Sequence, residues 1–267
     1  MNNPMATATR SRANGTGVLP PEQAADAALL AAKKAGPIEP VARLELEPLP
    51  TSTMLVPIRG TAPLIMSRFS EKAREMMLKG QQGEARAKRV RNPDEEYERA
   101  FYLLSDAEDG TTRYGFPTMA FKKSVIGACR FFGKAVTMTA VRQFIFVDGE
   151  EGANDPQMLV EIIGEPHMRR DVVRLAGQNR PADLRFRPAF NEWETELRVT
   201  YFSSCISGRS VLSLLGAAGI GVGVGEWRVE RDGVSGTYEI HPDKPVQWEV
   251  ITDDGLRELT AESPEKK

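Results

Sequence analysis

Residues 51–260 of this 267-residue chain predict an α+β fold, an antiparallel sheet with two helices on one face. Three observations predict it. Strict alternation over residues 190–202 puts Trp193, Thr195, Leu197, Val199 and Tyr201 on one face of a strand, with Glu192, Glu194, Glu196 and Arg198 on the other. Two stretches carry helical spacing instead. Residues 116–132 align Phe121, Val125, Ala128 and Phe132 on one stripe, and residues 208–218 follow the N-cap residue Ser207. Third, the shorter apolar runs complete the order strand, helix, strand, strand, helix, strand once insertions are removed. That order is the ferredoxin-like (RRM-like) arrangement.

Residues 1–50 are rich in Ala, Thr, Asn, Gly and Pro and read as a mobile tail, with an alanine-rich helix at 24–34 stopped by Gly36 and Pro37. The folded part begins near Met54, with a strand at 55–58 that ends at Gly60. Helical spacing at 70–79 (Ala73, Met76, Met77) stops at Gly80. A polar, basic elbow follows at 81–91, carrying Arg86, Lys88, Arg89 and Arg91. Pro93 opens another helix with Asp94, Glu95 and Glu96 in its first turn, where carboxylates suit the helix dipole, and Tyr97, Phe101 and Leu104 form its apolar face. Residues 61–113 are thus a helical insertion. Beyond the helix at 116–132, residues 141–147 alternate as a strand ended by Asp148-Gly149, and 159–163 form the next. Residues 164–189 lack apolar periodicity and read as a basic arm. Strands at 237–240 and 246–251, the latter with Trp248, close the domain, and 261–267 form a C-terminal tail.

A net charge of −2 excludes a global basic field, so any nucleic-acid site is a local patch. Cys129 and Cys205 each lie inside apolar patterns and are expected as buried free thiols of a reducing compartment. His167 and His241 stand without other ligands at metal spacing, so no metal or cofactor is expected. The longest apolar run, 211–225, falls short of the roughly 20 residues of a membrane span. A soluble, cytoplasmic protein with no membrane contact follows. No serine–histidine–carboxylate set occurs, and the acidic pairs Glu150-Glu151 and Asp253-Asp254 fall in turns, so the chain is not expected to be an enzyme.

The most distinctive motif is Gly219-Ile220-Gly221-Val222-Gly223-Val224-Gly225, followed by Glu226-Trp227-Arg228. Glycine at every second position leaves a nearly bare backbone against which a phosphodiester chain fits, with Trp227 to stack on a base and Arg228 as a cation. A turn that lets a helix pack closely on a sheet explains the same glycines, and a core tryptophan explains Trp227. The helix precedes the glycines, so the dinucleotide fingerprint does not apply, and no Lys-Ser or Lys-Thr pair makes a P-loop. Lys122 and Lys123 near a helix start oppose its dipole and favour an anion, although solvated lysines give the same pattern. In the arm, Arg169, Arg170, Arg174, Arg180, Arg185 and Arg187 outnumber Asp171 and Asp183. A polyanion grip or a solvated loop with local ion pairs fits that excess.

Two segments together resemble the RAMP superfamily, the ferredoxin-like RNA-binding backbone proteins of CRISPR effector complexes. One is the glycine run 219–225 between the second helix and the last strand, with Gly233 and Gly236 ahead of Tyr238. The other is Phe116-Pro117-Thr118-Met119-Ala120-Phe121-Lys122 opening the first helix. The insertion and the arm are similar to the finger and thumb of those subunits. Lys123 departs from a common glycine, Ala120 from a common serine, and Glu226-Trp227-Arg228 interrupts the loop. Gly-Glu-Trp-Arg followed by Gly-Thr-Tyr is also similar to uncharacterised phage and mobile-element proteins. The resemblance spans residues 54–241. It implies a non-enzymatic binder of single-stranded RNA or DNA from a phage or mobile element, self-associating along the strand in a bacterial host's cytoplasm. Its bound residues are then Lys122, Lys123, the six arm arginines, Gly221, Gly223, Gly225, Trp227 and Arg228. An adaptor that binds another protein, with an architectural glycine loop, is the alternative reading.

Overall fold

Met54, Val56 and Ile58 alternate along one strand and are fully buried, and that strand is the middle one of its sheet. The computed structural model describes residues 46–69, 78, 81, 92–174, 182–251 and 257–264. The expectations for the tail before residue 46, most of the helix at 70–79, the basic elbow at 82–91, Arg180 and the last three residues lie outside them. In chain order the elements are β1 (Thr51–Gly60), β2 (Leu64–Ile65), α1 (Pro93–Arg99), β3 (Tyr102–Leu103) and β4 (Tyr114–Pro117). Then come α2 (Thr118–Ala128), a 3-10 turn (Cys129–Phe132), α3 (Met138–Phe144), β5 (Ile145–Asp148), β6 (Glu150–Glu151) and β7 (Met158–Ile162). The chain continues with β8 (Pro166–Arg174), β9 (Ala182–Phe190), β10 (Glu194–Phe202), α4 (Gly208–Gly221), β11 (Tyr238–Ile240), β12 (Gln247–Ile251) and β13 (Arg257–Thr260).

The main sheet is antiparallel in the order β13-β12-β1-β10-β5. β1 and β10 pair from Thr51↔Phe202 to Arg59↔Glu194. On its other edge β1 meets two strands in turn, β12 at Thr53–Leu55 and β11 at Ile58–Gly60. Pro57 stands at the break between them. Its carbonyl accepts from the His241 N–H at 2.8 Å, and its nitrogen lies on that same edge, so a proline in a central strand forfeits no ladder bond. α2 and α4 pack together over the apolar face, burying Phe121 and Val125 from one helix and Val211, Leu214, Leu215 and Ala218 from the other. Between them and the sheet, Tyr238 meets the rings of Phe121 at 5.7 Å and Trp193 at 6.4 Å, and its hydroxyl bonds Ser124 Oγ at 2.7 Å. Burial pushes the Tyr238 phenol up from its ordinary pKa. Each large side chain taken out of water here contributes about 1.5–3 kcal/mol.

The opposite face is polar and paired with itself. Arg198 bonds Glu249 at 2.7 Å, Thr200 bonds Asp148 at 2.8 Å, and Arg59 bonds Glu239. Two smaller sheets flank this core, β2-β9-β8 and β3-β4-β7-β6.

Several sequence expectations need correction. Residues 138–144 are helical, because Thr137 caps the Ala140 N–H at 3.2 Å, and the strand starts only at Ile145. Phe132 leaves the buried stripe of α2, since the 3-10 turn advances about 120° per residue against about 100° in an α-helix. α1 ends at Arg99, so Phe101 and Leu104 are buried from the extended segment beyond it. The strand at 190–202 is two strands in different sheets, broken at residues 191–193. Cys205 is exposed, because it lies in the turn after β10, whereas Cys129 is buried and its thiol is pushed up by burial. α4 absorbs Gly219 and Gly221 into its last turn. The expected formless arm is a β-hairpin, β8 with β9, in register from Pro166↔Phe190 to Arg174↔Ala182.

Candidate nucleic-acid interface

The glycine run does two jobs in two places. Gly219 is pressed on β11: a Cβ there would fall within 2.8 Å of the Tyr238 carbonyl carbon and ring, and nearer still to its oxygen. Gly221 faces the Phe131 ring, which a Cβ would meet at 2.5 Å. Beyond the helix the chain turns at Gly223 (φ +73) and Gly225 (φ +80), conformations that a side chain disfavours. This turn is sewn down by its own amides. Gly223 N–H donates to Ala218, Val224 N–H to Gly236 and Glu226 N–H to Ile65, at 2.9–3.0 Å. Most of the amides expected to face a phosphate are therefore committed within the protein.

A groove of about 270 Å³ opens where this turn meets the start of α2. Gly223, Gly225, Glu226, Arg228 and Glu230 form one side, Met119, Ala120 and Lys123 another, with Tyr102, Phe116 and Gln157 between. The structure thus brings Lys123, Gly223, Gly225 and Arg228 together and leaves Gly221 outside. Arg228 bonds Glu230 at 3.1 Å and the Gly225 carbonyl at 3.3 Å. Lys123 is exposed, and no ion pair among the described residues engages it. Lys122 points elsewhere, with Nζ 4.4 Å from the centre of the Phe146 ring. Partial burial lowers its pKa. Because α2 begins at Thr118, both lysines sit past the first turn, where the dipole argument loses most of its force.

Trp227 is 45% exposed, not a core residue, and has φ +55. A bulky side chain in the left-handed region is an outlier that costs about 1–2 kcal/mol. The loop holds it there: the Trp227 carbonyl accepts from Ser235 N–H at 2.9 Å, and the Arg228 carbonyl accepts from Gly233 N–H at 3.1 Å.

The hairpin is two-faced, because residues opposite each other in the ladder share a face. One face carries Arg169 opposite Arg187 and Asp171 opposite Arg185. There Arg169 bonds the buried Asp171 at 2.8 Å, Arg187 lies 3.9 Å from the same carboxylate, and Arg185 contacts Asp183 at 3.1 Å and Glu96 of α1 at 3.9 Å. Those three arginines hold the hairpin together and against its neighbours. The other face carries Arg170 opposite Phe186, Val172 opposite Leu184, and Arg174 opposite Ala182. No ion pair among the described residues engages Arg170 or Arg174. Phe186 was missed from the sequence, although the alternation Leu184-Arg185-Phe186-Arg187 announces a strand with one apolar side.

Among the described residues, no group of three or more His, Cys, Asp or Glu side chains is placed to hold a metal ion, and no helix is long and apolar enough to cross a membrane. No protein-family model matches the chain, and no curated protein matches it. Among solved structures it is similar to Cmr6 from Pyrococcus furiosus, at 10% identity and a TM-score of 0.37, over 73% of this chain and 100% of that one. It is also similar to a chain of a CRISPR RNA-guided surveillance complex, at 9% identity and a TM-score of 0.32, over 74% of this chain and 70% of that one. Superpositions this loose transfer no residue roles.

Proposed function

We propose that the protein binds the backbone of single-stranded RNA or DNA, without catalysis, as a ferredoxin-like subunit that repeats along the strand in a phage or mobile element. The strand order supports the fold: counting only the core elements, the sheet runs fourth, first, third, second, and the two connecting helices share one face. The observation that carries the binding reading is the division of labour in the hairpin. Arg169, Arg185 and Arg187 are consumed by Asp171, Asp183 and Glu96, whereas Arg170 and Arg174 stand on the outer face, Arg170 opposite Phe186. An unpaired guanidinium next to an aromatic ring suits a phosphate and a stacked base. Lys123, at the groove, supplies a third cation, and Trp227 a second stacking surface. The open face of the main sheet, by contrast, is neutralised by its own ion pairs.

Fluorescence anisotropy with labelled 20-nucleotide RNA and DNA tests this. Three phosphate contacts give a slope of about −2 in log K against log salt, so affinity falls roughly 20-fold between about 50 and 200 mM salt. Arg170→Glu with Arg174→Glu abolishes binding and leaves the melting temperature nearly unchanged. Arg169→Glu instead destabilises the hairpin, since it leaves buried Asp171 facing a like charge. Absence of binding at low salt removes this reading.

A further inference from the structure

A second groove lies at the far end of the helix pair, where α2 has passed into its 3-10 turn and α4 begins. It encloses about 520 Å³, and its apolar lining comes from Phe132, Val136, Ala140, Phe144, Ile206 and Leu214. The polar groups at its edge are already used. Ser207 Oγ caps the Ser210 N–H at 3.2 Å, Thr137 Oγ1 caps the Ala140 N–H at 3.2 Å, and Ser213 donates to the Arg209 carbonyl at 3.0 Å. A base placed here would lose the solvation of its polar edges with nothing to replace it. An aliphatic or aromatic side chain loses nothing. Next to Thr137 at the groove's edge, Met138 is 40% exposed.

The segments that wall this groove, residues 129–147 and 197–225, contain no carboxylate. Arg130 is taken by Glu230 at 3.4 Å, and Arg142 lies on the opposite side of α3 from Ala140 and Phe144. Lys134 lines the groove, and the exposed Arg209 is next to Ser210, which also lines it. Among the described residues, no ion pair engages Lys134 or Arg209. In a chain whose net charge is −2, this is a local excess of positive charge around an apolar socket.

We infer that this end of the molecule docks an acidic amphipathic segment of a partner protein. The partner's apolar side chains enter the groove, and its carboxylates meet Lys134 and Arg209. This surface is separate from the nucleic-acid face, so the two bind independently. Cys205 lines the groove and is exposed, whereas Cys129 is buried, which makes the rate of thiol alkylation a reporter of occupancy at this place alone.

The test uses the full chain and two labelled synthetic helical peptides. One has leucine at i, i+3, i+4 and i+7 spacing with glutamate elsewhere, and the other has lysine in place of glutamate. The glutamate peptide is expected to bind in a salt-sensitive way, to slow alkylation of Cys205 by N-ethylmaleimide about fivefold or more, and to leave oligonucleotide binding unchanged. Ala140→Trp fills the socket and lowers affinity about tenfold or more. Should that variant fail to fold, Lys134→Glu with Arg209→Glu, both on exposed positions, gives the same loss in folded protein. Four results overturn the inference. These are no binding of the glutamate peptide, equal binding of the lysine peptide, protection of Cys205 by an oligonucleotide, and protection of Cys205 by self-association of the chain without any peptide.

Discussion

α4 contains two glycines that invite the same substitution and answer it oppositely. Gly216 has open space where a Cβ would go, with nothing within 4 Å. Gly216→Ala therefore realises the full helix-propensity gain of about 0.8–1 kcal/mol. In a domain of this size that raises Tm by roughly 2–4 °C. Gly219, one turn later, gains the same propensity, but its Cβ would fall within 2.8 Å of the carbonyl carbon and ring of Tyr238. Ordinary contact begins near 3.4 Å. The obstruction is strand backbone, and Tyr238 is held from behind by Phe121, Trp193 and the bond to Ser124, so it has no rotamer to retreat into. Overpacking of this kind costs about 1–3 kcal/mol, and more where backbone must move. The two alanine variants are thus expected to differ by the overpacking cost alone, about 1–3 kcal/mol or more, in urea unfolding followed by tryptophan fluorescence, with equal m values. A Gly219→Ala protein as stable as Gly216→Ala refutes this account of how α4 sits on β11. A stable, folded Gly219→Ala protein that has lost oligonucleotide binding shows that this glycine serves the ligand and not the packing.

Three more predictions follow from the same reasoning. Trp227→Ala and Trp227→Gly both lose about 1–3 kcal/mol of oligonucleotide affinity if the indole stacks on a base. The glycine variant is the more stable of the two by about 1 kcal/mol, because φ +55 penalises any Cβ, and equal urea midpoints contradict that. The hydrogen bond from Lys244, with a smaller contribution from His241, holds the Glu194 carboxyl below the usual glutamate value of about 4.3. The stabilisation is therefore complete above that value and is lost as pH falls through the lower folded value. Lys244→Met should lower urea midpoints near neutrality and converge with the parent in acid, and a constant gap at every pH contradicts it. Under native conditions one equivalent of N-ethylmaleimide should modify Cys205 and spare Cys129, as read by peptide mass mapping, and equal labelling means the Cys129 site opens.

The core of the fold was legible because its strands and helices have clean periods. Trp193, Leu197, Val199 and Tyr201 alternate, the 3.6-residue stripe of Phe121, Val125 and Ala128 is uninterrupted, and Ser207 caps where expected. The hairpin was hidden because arginines alternate with its apolar residues, as in Leu184-Arg185-Phe186-Arg187, so mean polarity masks the period. Its buried side is polar too: Asp171 and its arginines stand where a strand normally presents leucine or valine. The first groove was half legible. Lys123 and the glycine turn announced themselves by residue type, but Tyr102 and Gln157 reach it from strands and loops remote in sequence. The ion pairs that separate the two sets of arm arginines depend on ladder register, and no composition reveals register. The glycine run left two readings open for a physical reason. Close approach of a helix to a sheet and close approach of a ligand ask for the same missing Cβ.

The pairing of β1 with β10 also sets a clock. Thr51 lies opposite Phe202, so the first strand of the sheet emerges long before the residues that close its ladder exist. At synthesis rates of roughly 5–20 residues per second, β1 waits on the order of ten seconds for its partner. During that wait it presents Met54, Leu55, Val56 and Ile58 to any other nascent chain. Pro57, which fits harmlessly at the break between β11 and β12, interrupts that segment throughout the delay, since a strand that lacks a donor at its middle makes a poor template for a neighbour.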